Sequence, residues 1–190
     1  MDVNGSATGT AQPRLLVLWA PDWPVLAQAR ANRIPDAAPL ALVDSTPGAR
    51  GLVFACSASA RSAGVARGMR IREAQSRCPG LQVLRYDPAL DARAFEPVLA
   101  ALEQALPGLH PLRPGTVAVR ARGPARYYGG EQAAALTVLG IVGELGVENA
   151  RVGIAEGLFA AERAARFANS PHASASCRTA KLRRFSPRCP

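Results

Sequence analysis

Apolar residues between positions 14 and 168 fall into short runs that switch between strand-like and helix-like spacing. Arg14-Leu-Leu-Val-Leu-Trp19 is apolar after its first residue, is bounded by Pro13 and Pro21, and is too short for a helix, so it reads as a buried strand. Pro24 can open a helix, and the alanine-rich stretch 25–33 continues it until Pro35 removes a backbone donor. Residues 40–44 and 51–56 read as the two strands of a hairpin joined by Ser45-Thr-Pro-Gly48. Residues 59–63 and 70–77 read as short helices. Each is followed by a glycine, Gly64 or Gly80, able to end it at positive φ.

Residues 81–86 alternate as a strand, and 88–106 form a long helix with Leu90, Phe95, Val98, Leu99, Leu102 and Leu106 at helical spacing. Pro97 either kinks that helix or marks its true start. Residues 116–120 and 150–154 read as strands, 132–145 and 157–167 as helices, and Tyr127-Tyr128 ahead of Gly129-Gly130 as an apolar turn. Strands that alternate with helices in this way predict an α+β fold, a sheet backed by helices. There is no internal repeat. Residues 1–13 read as a disordered leader, and from Asn169 onward the chain turns Ser, Arg, Pro and Cys rich and reads as a disordered basic tail. The change comes abruptly inside a helix, which fits a frameshifted or artificially ended reading frame.

Composition narrows the function classes. With 190 residues, 48% of them hydrophobic, the chain can build one sizeable core or two small ones sharing an interface. Asp, Arg, Pro or Gly interrupts every apolar run well short of the roughly 18 residues of a membrane span, so a soluble protein is expected. The leader lacks the features of a secretory signal. Cys56, Cys78, Cys177 and Cys189 are far apart and show no zinc-ligand spacing, so reduced thiols in the cytoplasm are expected. The net charge is +9, and all the basic residues except Lys181 are arginine, which suits phosphate contact. A GC-rich genome produces the same Arg, Ala, Gly and Pro bias. Arg178, Lys181, Arg183, Arg184 and Arg188 supply five of those charges from the last 20 residues, leaving the body mildly basic.

The run Gly51-Leu-Val-Phe-Ala-Cys-Ser-Ala-Ser-Ala-Arg-Ser-Ala-Gly-Val-Ala-Arg-Gly-Met-Arg-Ile-Arg-Glu-Ala74 resembles the fingers of Y-family (UmuC-like) DNA polymerases. In that family a strand leads to a phosphate-contacting A-R, then G-V, G-M and E-A. Here these are Ala60-Arg61, Gly64-Val65, Gly68-Met69 and Glu73-Ala74, with Cys78-Pro79 where the family often has C-P or L-P. More loosely, residues 15–27 look like the first palm strand and the start of the fingers, and Arg151-Val-Gly-Ile-Ala155 looks like the family's V-G-I-S/A strand. The resemblance implies a ferredoxin-like palm sheet backed by helices with a small inserted fingers subdomain. It divides the chain into a leader (1–13), a first palm strand with the start of the fingers (14–32), fingers (33–80), palm (81–168) and tail (169–190). The family's thumb, little finger and clamp-binding peptide find no counterpart in this sequence.

Polymerases of this kind join nucleotides with two divalent metals, which hard carboxylate oxygens must hold. The family's D-x-D after the first strand falls, without gaps, on Pro21 and Trp23, and its S-x-D-E reads Arg113-Pro-Gly-Thr116, with Gly115 and Thr116 in the places of the acids. The family tyrosine of the triphosphate site aligns with Ala58 and the palm lysine with Leu158, so of that set only Arg61 persists. Within the family this loss resembles the ImuB type. The implied reading is a non-catalytic protein of DNA damage tolerance and induced mutagenesis that binds DNA. Its full-length relatives also bind the sliding clamp and a partner polymerase. No catalytic residue, metal ligand or cofactor is expected.

Four residues, Arg61, Arg67, Arg70 and Arg72, are the candidates for phosphate or nucleic-acid contact, with a solvated surface as the alternative. Asp22 reads as solvated or as a helix cap, Trp19 as core, and Trp23 as a plug where a metal ligand would stand. His110 and His172 have no partner spacing that gives them a role. Two other functions stay open. Asp22, Asp44 or Asp87 could rebuild a Mg²⁺ site and give slow translesion synthesis, or the chain could be a small basic nucleic-acid-binding module.

Overall fold

The computed structural model describes residues 12–44, 51–168 and 174–176; the leader up to residue 11, the turn at 45–50, His172, Cys177, Cys189 and most of the tail lie outside them. Among the described residues the chain folds into a five-stranded sheet and a separate three-stranded sheet, with helices on both.

β1 (Arg14–Trp19) is the central strand of the larger sheet, antiparallel to both β6 (Thr116–Arg120) and β7 (Arg151–Glu156). Leu16 and Leu18 are buried on one face and Val17 on the other, which is why the strand is apolar without alternation. On the first face lie α4 (Pro88–Ala105) and α6 (Glu131–Glu144), which contribute Phe95, Val98, Leu102, Ala135, Val138 and Val142 to the main core. On the second lies α7 (Leu158–Phe167), whose Ala161 packs with Val17, Ala118 and Ala155. That helix lies so close to β7 that a Cβ on Gly153 would overlap the backbone of Ala161, Ala164 and Ala165.

Edge strands complete the sheet in the order β5-β6-β1-β7-β8, with β5 (His110–Arg113) antiparallel to β6 and β8 (Ser174–Ser176) parallel to β7. The tail expected to be structureless therefore contributes three residues to the sheet edge.

The smaller sheet runs β3 (Val53–Cys56), β2 (Leu40–Val43), β4 (Gln82–Arg85). β2 and β3 pair antiparallel as the hairpin reading expects, whereas β4 pairs parallel to β2. β4, which follows residue 80, thus lies in the same sheet as β2 and β3. The strand after α3 completes the small sheet, because the hydrogen bonds of Leu40–Val43 are otherwise unmet on that side. α2 (Ala58–Ser62) and α3 (Ile71–Arg77) cover one face of this sheet, around Val53, Ala60, Val65 and Ala74. α1 (Trp23–Ala31) covers the other through Val25 and Ala29.

Three local expectations change. α3 ends on Cys78, whose N–H reaches the Ala74 carbonyl, and Gly80 is not at positive φ. α4 starts at Pro88, where a missing donor is harmless, with the Asp87 carboxylate accepting from the N–H groups of Ala89 and Leu90; Pro97 lies inside the helix. The Tyr127-Tyr128 segment is a helix, α5 (Arg122–Tyr128), ended by Gly129 at φ 84°.

Candidate functional site

At the end of β1 the chain turns into α1, and Ala20 donates its N–H to the carbonyl of Gly115 in the β5–β6 turn (2.8 Å). Trp23 starts the helix and is 2% exposed. Its indole N–H donates to the Asp91 carbonyl (3.2 Å), and its ring meets Phe95 edge-on with centroids 4.8 Å apart. Gly115 has φ +79°, and a Cβ there would stand 2.5 Å from the Cβ of Trp23. Two of the four positions where the resemblance puts carboxylates are therefore packed on one another as carbon. The third is Pro21. The fourth, Thr116, is buried in the ladder opposite Trp19. The residues at these positions do not fit a pair of Mg²⁺ ions, which need converging anionic oxygens.

Asp22, between Pro21 and Trp23, stands at the N-cap position of α1 but caps no backbone group. Its two oxygens accept from Nη1 and Nη2 of Arg61 at 2.8 and 2.7 Å, and Nη1 also donates to the Cys56 carbonyl (2.6 Å). Asp22 is thus neither free in solvent nor a helix cap; a bidentate guanidinium from the last turn of α2 holds it. Burial pushes the Cys56 thiol up, and the neighbouring Arg61 acts in the opposite direction.

All four candidate arginines are exposed and lie along the α2–α3 segment. Arg61 is turned toward Asp22. The Arg67 guanidinium lies over Phe54 (5.0 Å), and Phe54 stacks on Tyr86 with centroids 4.1 Å apart. Arg70 stands at the N-cap position of α3 and bridges to Leu52, and Arg72 lies in the first turn of that helix.

The other acids named for a rebuilt metal site do not join Asp22. The carboxylates of Asp44, Asp87 and Asp91 face Tyr86, whose phenol is raised first by burial, then by its hydrogen bond to Asp91 and by those charges. Asp91 is 2% exposed; its Oδ2 accepts from the Tyr86 hydroxyl (2.8 Å), its Oδ1 has no partner, and burial raises its carboxyl above the ordinary range. Among the described residues no three His, Cys, Asp or Glu side chains gather where they could hold a metal. A cleft of about 260 Å³ runs beside α1 between Ser57 and residues 146–149, lined by Asp22, Trp23, Arg30, Asp36 and Glu148 among others.

The sequence reading missed the surroundings of Trp19. This residue is half-buried rather than core, because it ends β1 on the α7 face, and it carries the guanidinium groups of Arg166 (4.9 Å) and Arg151 (5.8 Å) over its ring. Its register partner in β7 is Arg151 itself, a pairing that only the folded sheet creates. Among the candidate contacts of the triphosphate site, the Ala58 and Leu158 side chains are both exposed and apolar. Among the described residues no helix is long and apolar enough to cross a membrane.

Solved structures share this fold. The chain is similar to the post-insertion binary complex of Dbh DNA polymerase (TM-score 0.75, 15% identity, 87% of this chain and 48% of that one). It is also similar to DinB from Sulfolobus solfataricus (TM-score 0.68, 16% identity, 86% of this chain and 48% of that one). It matches the insertion ternary complex of Dbh DNA polymerase with a TM-score of 0.73 at 15% identity, over 87% of this chain and 48% of that one. The chain thus spans about half the length of these structures, the half that holds palm and fingers. No curated protein matches the sequence. The model of the impB/mucB/samB family matches residues 25–166, from the first turn of α1 to the last turn of α7, and the chain belongs to that family.

Proposed function

We propose that this chain is the palm and fingers of a non-catalytic, ImuB-type member of the family, acting in DNA damage tolerance and induced mutagenesis as a cytoplasmic DNA-binding and protein-binding scaffold. The observation that supports this is the packing of Trp23 on Gly115, which puts an indole and a bare Cα where a polymerase of this kind needs carboxylates. Asp22, the remaining acid at that turn, is neutralised by Arg61. A scaffold needs the shape and charge of a polymerase without its metal ligands, and the Trp23–Gly115 packing supports that reading. In full-length relatives of the ImuB type the sliding clamp and a partner polymerase are bound by regions beyond the palm.

Primer extension with Mg²⁺ and with Mn²⁺ tests the reading. The expected result is no incorporation above background on a primer-template that the chain binds. Incorporation that disappears in Asp22→Ala would instead establish an active, rebuilt metal site.

A further inference from the structure

The buried and exposed sides of α7 are unlike. Ala161 and Ala165 are fully buried against the sheet, while Phe159 and Phe167 are 80% and 65% exposed on the outer side. Arg163 lies between them, four residues from each, with its guanidinium 4.7 Å from the Phe167 ring centre. At 3.6 residues per turn, positions 159, 163 and 167 lie within one side of the helix, and the backbone rises about 12 Å from Phe159 to Phe167. Together with the part-exposed Leu158 these two rings give the outer side of α7 an apolar character.

Arg166 follows Arg163 by three residues and is its neighbour on the helix surface. It extends over Trp19, which it shares with Arg151. Trp19 thus holds two guanidinium groups at the edge of the aromatic stripe. Arg113 stands on the same side and pairs with Glu162, which also meets Arg166 at 4.0 Å. One carboxylate is set against Arg113, Arg151, Arg163 and Arg166. Of the acids closest in sequence, Glu148 lines the cleft beside α1 and Glu156 stands opposite Arg14 at the other end of the β1–β7 ladder.

From this arrangement we infer that the outer face of α7 is a binding platform for single-stranded DNA, with unpaired bases stacking on Phe159 and Phe167 and the phosphates between them contacting Arg163, Arg166 and Arg151. The occupant follows from the chemistry of the surface. Exposed phenyl rings flanked by arginines match the alternation of base and phosphate along a single strand, and stacking of this kind reads no sequence. In a duplex the base faces are covered, and the rings have nothing to stack on. Trp19 serves as a positioning residue for Arg151 and Arg166, since its faces are already occupied. The inference rests on the DNA-binding reading given above and adds to it where an unpaired strand is held.

Fluorescence anisotropy of the full chain with a labelled oligothymidylate, and with a labelled duplex, tests it. Replacing Phe159 and Phe167 together by Ala is expected to weaken single-strand binding by on the order of tenfold or more. Duplex affinity and melting temperature stay unchanged, because both rings are exposed. Arg163→Gln is expected to reduce the slope of log affinity against log salt by about 0.7 on the single strand. Undiminished single-strand affinity in the double Phe variant overturns the platform and leaves the DNA-binding reading standing, as on a face that serves a protein partner. An equal loss on duplex and single strand also overturns it, because stacking on unpaired bases would not be the cause. Failure of the wild-type chain to bind either DNA removes both readings together.

Discussion

Trp23 and Gly115 hold their places at each other's expense: the indole fills the volume that any side chain at 115 would enter, and the glycine alone permits φ +79° in that turn without strain. A double-mutant cycle measures this dependence. Trp23→Gly empties a fully buried aromatic site, Cβ included, and is expected to cost at least about 3–5 kcal/mol in urea unfolding. Gly115→Ala is expected to destabilise the native chain more than it destabilises the Trp23→Gly chain, which lacks the Cβ that an added methyl would meet at 2.5 Å, because the clash, and not the backbone strain, is relieved in the latter. Additive effects would mean that the two residues do not contend for the same space.

The Asp22–Arg61 pair joins the turn after β1 to α2 across a partly exposed gap, so its contribution to stability is expected to be small. Asp22→Asn should lower stability by about 1 kcal/mol or less. The same substitution leaves Arg61 without its carboxylate. Affinity for DNA is then expected to rise at low salt, and Arg61→Ala to lower it, both read by anisotropy. If Asp22→Asn leaves DNA affinity unaltered while Arg61→Ala also has no effect, Arg61 has no part in phosphate contact.

A methyl group on Gly153 would meet the backbone of α7, which cannot yield as a flexible side chain can. Gly153→Ala is expected to cost at least about 1–3 kcal/mol, and to lower the melting temperature by several degrees, on the scale of about 2–4 °C per kcal/mol for a domain of this size. A melting temperature equal to that of the wild type would show that the helix does not lie on β7 as described.

Asp91 gives stability a pH dependence of definite sign. Its carboxyl is raised in the folded state, so the native chain holds that proton more tightly than the unfolded chain does. The associated stability is full below the ordinary carboxylate value of about 4 and is lost as pH rises through the higher folded value. Asp91→Asn keeps an acceptor for the Tyr86 hydroxyl and removes the titration. Wild type and variant should therefore be closest in unfolding free energy at the acidic end, with the variant gaining relative to wild type as pH rises. A difference that stays flat across that range would contradict the burial of this group.

Elements with a strong local signature were legible before folding. Residues 14–19, 116–120 and 151–154 are apolar runs of strand length, and 88–105 carries helical spacing together with a capping aspartate and an N-terminal proline. β5 was not legible, because His110–Arg113 is exposed throughout and contains a proline, so nothing in its pattern marks a strand; pairing with β6 alone defines it. α5 was hidden for a related reason. Gly123 and Pro124 are residue types that break helices, yet they fall in the first turn of α5, where a missing N–H is no loss. The place of β4 was hidden too, because a parallel pairing with β2 carries no local sign in either strand.

The site divides in the same manner. The substitution of acids by Pro21, Trp23, Gly115 and Thr116 is visible as residue identity once the resemblance is drawn. That Trp23 packs on Gly115, that Asp22 holds Arg61 and that Trp19 carries Arg151 and Arg166 are relations between distant segments, and they exist only in the assembled sheets. Amphipathic periodicity marks which side of α7 faces the sheet. It says nothing about what the opposite side is for, so nothing in the linear sequence sets Phe159 and Phe167 apart.

α1 presents Trp23 and Ala27 to the main core and Val25 and Ala29 to the interior of the small sheet. Nine residues thus serve as a party wall, finished on both sides. Neither sheet can come apart without laying bare a helix face that belongs to the other, so the two sheets are expected to melt as one cooperative unit, with one endotherm rather than two in a calorimetric scan of the chain.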